Sequence, residues 1–171
     1  NVVWQTEIAL WEDSVKKAPN KVRPYNNLTA AYMAKGEYGK ALETIHAAFK
    51  RGLKSENLKA NLGELQIQRG LYDQAQQSFL EILEQNPNHA GALQGLGVAY
   101  FHDGDLAKAE EILIRAVKSE YASYKTVLFL ARTQKARGNI EGAVSLYQQF
   151  LVQYPQYRQE ALVEIKSLEE E

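Results

Sequence analysis

The chain has no cysteine, so disulfides, thiolate ligands and thiolate nucleophiles are all closed to it, and its redox compartment is not legible. Nor does one sign of charge dominate: 20 basic and 21 acidic residues leave a formal net charge of −1. The balance holds in each half, with 11 basic and 10 acidic side chains in residues 1–85 and 9 and 11 in residues 86–171. Gripping phosphates needs clustered Lys and Arg, so nucleic acid is not an expected partner. No apolar run approaches the ~18 residues that span a bilayer, and the opening residues lack a signal-peptide pattern. Direct membrane insertion by this segment is therefore not expected. The three histidines, His46, His89 and His102, form no i,i+4 pair. No metal site is expected, and no Ser/His/Asp set shares a face. The glycines fit no strand–loop–helix phosphate cradle, so neither a cofactor nor catalysis is expected.

What the chain does contain is one six-residue stretch written four times. It runs Gly36 to Ala41, Gly70 to Ala75, Gly104 to Ala109 and Gly138 to Ala143, with successive copies 34 residues apart. Gly comes first, an aromatic or aliphatic residue third (Tyr38, Tyr72, Leu106, Ile140) and Ala sixth. Gly adopts φ > 0 without steric cost and ends a helix; Ala lets two helices approach; the third residue is expected to plug the corner. Each copy reads as the elbow of a helical hairpin. Other positions keep step. Leu28, Leu62, Leu96 and Leu130 precede each Gly by eight residues, and a small residue follows each: Thr29, Gly63, Gly97, Ala131. Four residues after each Ala stand Ile45, Phe79, Leu113 and Tyr147, and three further on Ala48, Ile82, Ala116 and Phe150.

A 34-residue helix–turn–helix period resembles the tetratricopeptide repeat (TPR) family over essentially the whole chain. The resemblance implies an all-α fold: a right-handed α-α superhelix, or TPR solenoid, of about four and a half repeats plus a C-terminal capping helix. The expected organisation is a single TPR domain over 1–171. Residues 1–21 form half a repeat, its second helix only. Repeats follow at 22–55, 56–89, 90–123 and 124–157, and the capping helix at 158–171. Such a core is a strip sheltered between stacked hairpins.

In order, Trp4 falls where Tyr38 sits in the next repeat, Trp11 where Ile45 sits, and Glu7 takes the place of the elbow Ala. Thr6 to about Lys17 should be the second helix of a hairpin, with Ile8, Leu10, Trp11 and Val15 as its apolar stripe. The chain opens on Asn1 without an initiator Met, which reads as a processed or excised piece. Pro24 suits a first helical turn. The first repeat has Leu53 where a closing Pro is expected; Gly52 should stop its second helix and Ser55 cap the next. Asn88 is the expected N-cap after Pro87, and Tyr121 stands in place of the next closing Pro. Pro19, Pro87 and Pro155 thus close every second junction. The last helix should turn Ala161, Leu162, Ile165 and Leu168 inward, with Arg158, Glu160, Glu164, Lys166 and Glu169 to Glu171 covering the rest.

In this family guests usually lie along the concave face made by the first helices. The groove positions that the resemblance implies are Asn26, Asn27, Ala30 and Met33; then Asn57, Asn61, Glu64 and Gln68; then Gln94, Val98, Phe101 and His102; then Lys125, Phe129, Arg132 and Lys135. Ala60, Gly91 and Gly95 should leave room for a bulky guest. Amides bind peptide backbone with donor and acceptor, and Arg132 and Lys135 suit a carboxylate. Phe101 and Phe129 either face the guest or pack between helices; Arg132 and Lys135 either bind or are solvated. The clamp for chaperone tails found in some family members is matched by Asn61 alone, so that ligand is not expected.

The expected function is a non-catalytic scaffold that binds a protein or peptide in the groove, of unknown identity. Two alternatives stand beside it. The opening LWEDSVKKAPN and RPYNNL resemble the first repeats after the membrane segments of bacterial polytopic proteins with a TPR tail, some similar to sugar transferases. The chain would then recruit a partner or substrate for a membrane enzyme, from the cytoplasm or periplasm. The other is self-association into a homo-oligomer through the N-terminal end, with Trp4 and Trp11 pairing.

Overall fold

The computed structural model describes residues 2–119 and 123–169. Every regular element among them is helical. These are α1 (Val2–Lys17), α2 (Val22–Ala34), α3 (Tyr38–Lys50), α4 (Glu56–Gln68), α5 (Tyr72–Leu83), α6 (Ala90–Asp103), α7 (Leu106–Val117), α8 (Tyr124–Ala136), α9 (Ile140–Gln153) and α10 (Arg158–Glu169), with a 3-10 turn at Pro155–Tyr157. Tyr121, Glu170 and Glu171, and the side chains of Trp4, Glu160, Ala161, Glu164, Leu168 and Glu169, lie outside the described residues.

Backbone contacts divide the chain into two compact units, Asn1–Ser78 and Phe79–Glu171, the division falling inside α5. In the first unit α1 packs on α2, α2 on α3, and α4 against both α2 and α3. In the second unit α6, α7, α8 and α9 pack in succession, α6 also touches α8, and the 3-10 turn and α10 lie on α9.

The elbows form as their composition dictates. Gly36, Gly70, Gly104 and Gly138 all have positive φ, between 71° and 90°. After Gly36 the backbone turns back so that Glu37 N–H reaches Tyr32 O at 2.9 Å; the same bond recurs from Leu71 to Gln66 and from Asn139 to Gln134, each at 2.9 Å. These bonds satisfy carbonyls that the helix end leaves open. The third residue opens the next helix and does not fill the corner uniformly: Tyr38, 41 % exposed, and Ile140 stand in solvent, while Tyr72 and Leu106 are half-buried. The corner is closed by the backbone bonds and by Ala41, Ala75, Ala109 and Ala143, all fully buried.

Ile45, Phe79, Leu113 and Tyr147 are buried, as are Ala48, Ile82, Ala116 and Phe150. Close packing explains the small residue after Leu96. A Cβ on Gly97 would stand 2.5 Å from Leu113 Cγ. A Cβ on Gly95 would stand 2.3 Å from the Phe79 ring, so the room expected for a guest at Gly95 is already filled by Phe79.

The alternation of closing prolines has a physical counterpart. Where Pro is missing, a serine follows that reaches back to an amide on the first helix of the same repeat. Ser55 Oγ donates to Asn26 Oδ1 at 3.1 Å, and Ser123 Oγ donates to Gln94 Oε1, which Thr126 Oγ1 also meets at 2.9 Å. In the repeat that Pro87 closes, Ala60 and His89 occupy the two corresponding positions, and this bond has no partners. One junction is stiffened by a fixed φ, the next by a side-chain bracket. Ser55 also accepts Leu58 N–H at 3.1 Å as the N-cap of α4, as expected. After Pro87 the cap is His89, not Asn88: His89 Nδ1 accepts Ala92 N–H at 3.0 Å.

Helix α1 starts at Val2, earlier than Thr6. Ile8 is buried, Trp11 and Val15 pack on the core, and Tyr32 O–H donates to Glu12 Oε1 at 2.5 Å. Burial and then the Glu12 carboxylate push the Tyr32 phenol well above its ordinary range. Leu10 faces away from this seat and is 58 % exposed, so it is not part of the stripe. On α10, Ile165 packs inward but Leu162 is exposed.

Candidate functional site

In the first unit α2 and α4 lie side by side and carry the amide-rich positions. Asn27, Ala30, Asn57, Asn61, Glu64 and Gln68 are at least partly open to solvent there. Two expected groove residues serve the fold instead. Asn26 is engaged by Ser55, and Met33 packs against the core of the unit.

In the second unit α6 and α8 are the neighbouring pair. Two expected positions are again withdrawn: Gln94 is held by Ser123 and Thr126, and Val98 is only 9 % exposed. The other positions come together at one end. Phe101 and His102 close the last turn of α6; Phe129 and Arg132, three residues apart on α8, share a face opposite them. Phe101 and Phe129 meet edge to face at 5.8 Å, and His102 meets Phe101 at 5.3 Å and Phe129 at 6.1 Å. The Arg132 guanidinium lies over the Phe129 ring, 5.4 Å from its centroid. Edge-to-face rings and a stacked guanidinium hold one another, so the cluster is preorganised. It is not sealed: Phe101, Phe129 and Arg132 are half-buried and His102 is exposed. Phe101 and Phe129 therefore pack against each other and still present surface.

Charge on this face is positive. Helix α8 carries Lys125, Arg132 and Lys135 and no acidic residue, while α6 has only Asp103, in its last turn. Partial burial, and then the Arg132 charge, lower the His102 pKa from its ordinary 6.5, so the imidazole is neutral at pH 7. Such a surface offers ring faces, an imidazole and a guanidinium to an apolar or aromatic side chain with a carboxylate beside it.

Three features were not singled out from the sequence. Asp105 Oδ1 accepts Lys108 N–H at 3.1 Å and Asn139 Oδ1 accepts Gly142 N–H at 3.0 Å, capping α7 and α9; the Asp or Asn after the elbow Gly was the available signal. Tyr124 and Tyr157 stack at 3.9 Å and, with Phe150 and Tyr154, seat the 3-10 turn on α9. A cleft of about 240 Å³ lies between α3 and α5. Among the described residues no group of three His, Cys, Asp or Glu side chains gathers, and no helix is long and apolar enough to cross a membrane.

Tetratricopeptide repeat models match residues 60–125 and 130–157. No curated protein matches the sequence. Among solved structures the chain is similar to TTC0263, a thermophilic TPR protein of Thermus thermophilus. The TM-score is 0.81 at 21% identity, over 96% of this chain and 90% of that one. It is also similar to YrrB, a TPR protein described as having an unusual peptide-binding site, with a TM-score of 0.71 at 17% identity over 95% and 84%. MamA gives a TM-score of 0.69 at 19% identity over 89% of both chains. The glycine elbows, buried alanines and interlocked leucines are thus the marks of a shared fold, and the chain belongs to the tetratricopeptide repeat family.

Proposed function

We propose that this chain is a non-catalytic protein-interaction scaffold whose α6–α8 face holds a partner segment carrying an aromatic side chain next to acidic ones. The observation that carries this is the cluster of Phe101, His102, Phe129 and Arg132, whose rings and guanidinium are already in mutual contact before any guest arrives. Preorganised groups lose little freedom on binding. The positive charge of α8 supports the acidic half of the partner. The peptide-binding site named for YrrB supports a polypeptide as the class of guest.

The test is fluorescence anisotropy with a labelled peptide in which one phenylalanine is flanked by glutamates. Phe129→Ala and Arg132→Ala should each weaken binding by about 10-fold, as hot-spot truncations do, while far-UV circular dichroism stays unchanged. Equal affinity for the wild type and both variants sinks the assignment of the face.

A further inference from the structure

Beyond the 34-residue step, the chain repeats itself in detail at 68 residues. Lys40 lies over the Tyr32 ring at 5.6 Å and Lys108 over the Tyr100 ring at 5.3 Å. The Ser55–Asn26 bracket recurs as Ser123–Gln94. Matching contacts make the two units informative about each other wherever they differ.

One difference concerns a carboxylate partner. In the second unit Glu110 on α7 accepts Gln134 Nε2 at 3.2 Å and pairs with the Arg137 guanidinium. Counting back 68 residues from Glu110, Gln134 and Arg137 gives Leu42, Gln66 and Arg69. Both donors are kept and the acceptor is replaced by a leucine. Ser78 Oγ donates to Gln66 Oε1 at 2.8 Å, which fixes the amide and directs its Nε2 hydrogens to the opposite branch. Among the described residues no carboxylate pairs with Arg69. At this place the surface opens into a cleft of about 240 Å³, lined by Leu42, Leu62, Leu65 and Leu71 beside Gln66 and Arg69.

We infer that this cleft, between α3 and α5, is a second interaction site that takes a glutamate side chain from a partner polypeptide together with an aliphatic residue next to it. The carboxylate takes the place that Glu110 holds in the second unit, between the Gln66 amide and the Arg69 guanidinium. The aliphatic side chain lies on the leucine floor. The cleft is smaller than the ≈ 300 Å³ at which small-molecule pockets usually begin, which fits one or two side chains of a partner and not a cofactor. A carboxylate is required because a fixed amide donor and a guanidinium beside it, left with water alone, gain most from a charged, bidentate acceptor. This site shares no residue with the α6–α8 face and does not depend on that reading.

The experiment is an NMR titration of the full chain, with labelled leucine methyls and arginine side chains, against Ac-Ala-Glu-Leu-Ala-NH₂, a peptide without terminal charges. The expected result is shifts of the Leu42, Leu62 and Leu71 methyls and of Arg69 Nε–H. The Gln-for-Glu peptide and the Arg69→Ala protein should each bind about 10-fold more weakly. Leu42→Glu, which restores the acceptor of the second unit, should abolish the shifts by filling the site from within. The inference is overturned if the Glu and Gln peptides bind alike, if Arg69→Ala leaves the affinity unchanged, or if the cleft methyls stay silent up to about 10 mM peptide.

Discussion

Thr29 stands where the other repeats put Gly or Ala, fully buried, and its hydroxyl has no partner. A buried unsatisfied hydroxyl costs free energy that an isosteric methyl does not. Thr29→Val should therefore stabilise the chain by about 1 kcal/mol, read as a higher urea midpoint at unchanged m. A midpoint that stays or falls would show that the hydroxyl does find water. His102 supplies a pH effect of definite sign. Its folded pKa is lowered from 6.5, so between 6.5 and the folded value the unfolded chain holds the extra proton. The contribution to stability is complete above that window and is lost as pH falls through it. NMR of the imidazole should give a midpoint below 6.5, and Arg132→Gln should move it upward; an ordinary midpoint in both proteins would remove the claim.

Elements here are joined by two kinds of junction, and the kind without proline can be tested. The Ser55 hydroxyl both caps α4 and donates to Asn26 on α2. Ser55→Ala should cost about 1 kcal/mol, a typical N-cap loss, and Asn26→Ala less. A double-mutant cycle should show a coupling of about 0.5 kcal/mol or more, because both changes break the same bond. Strict additivity would mean that the two groups do not meet in solution. Helix boundaries were legible from local chemistry: glycine at each elbow, Ser55 at a cap. The cap at His89 was not, because imidazole is an uncommon cap and Asn88 is the better one by residue type.

Across the molecule the charges nearly cancel, at a net −1, while α8 carries three basic residues and no acidic one. Long-range attraction of an acidic peptide should therefore be weak and local attraction real. Association should stay within about 10⁵–10⁷ M⁻¹s⁻¹ from low to high salt, with most of any affinity lost to salt appearing as faster dissociation. Stopped-flow anisotropy in a salt series checks this, and an association rate that falls by about 100-fold would point to steering by a larger field. Most of the fold was readable because a 34-residue step repeats the same demand for a glycine turn, a buried alanine and a large apolar residue one helical turn further on. Of the candidate site, Phe101, His102, Phe129 and Arg132 were each expected in the groove and the structure brings them into contact, whereas Val98 and Gly95, expected in the open, are buried and Gln94 is held by Ser123 and Thr126. Register assigns a residue to a face, but it does not say which neighbour has already filled the space.

By itself the sequence determined the helices, their elbows and the family, since those follow from local backbone preference and from a pattern written four times. Tertiary structure alone decided which polar groups are spent on the fold and which stay open to solvent. Asn26 and Gln94 look the same in sequence as Asn57 and Asn61, and only the serines reaching back to the first pair separate them. Leu42 and Glu110 likewise acquire meaning only beside Gln66, Arg69, Gln134 and Arg137. The reason is physical: satisfying a donor is a matter of distance in space, and residues 24 to 32 positions apart must be brought to about 3 Å before that question has an answer.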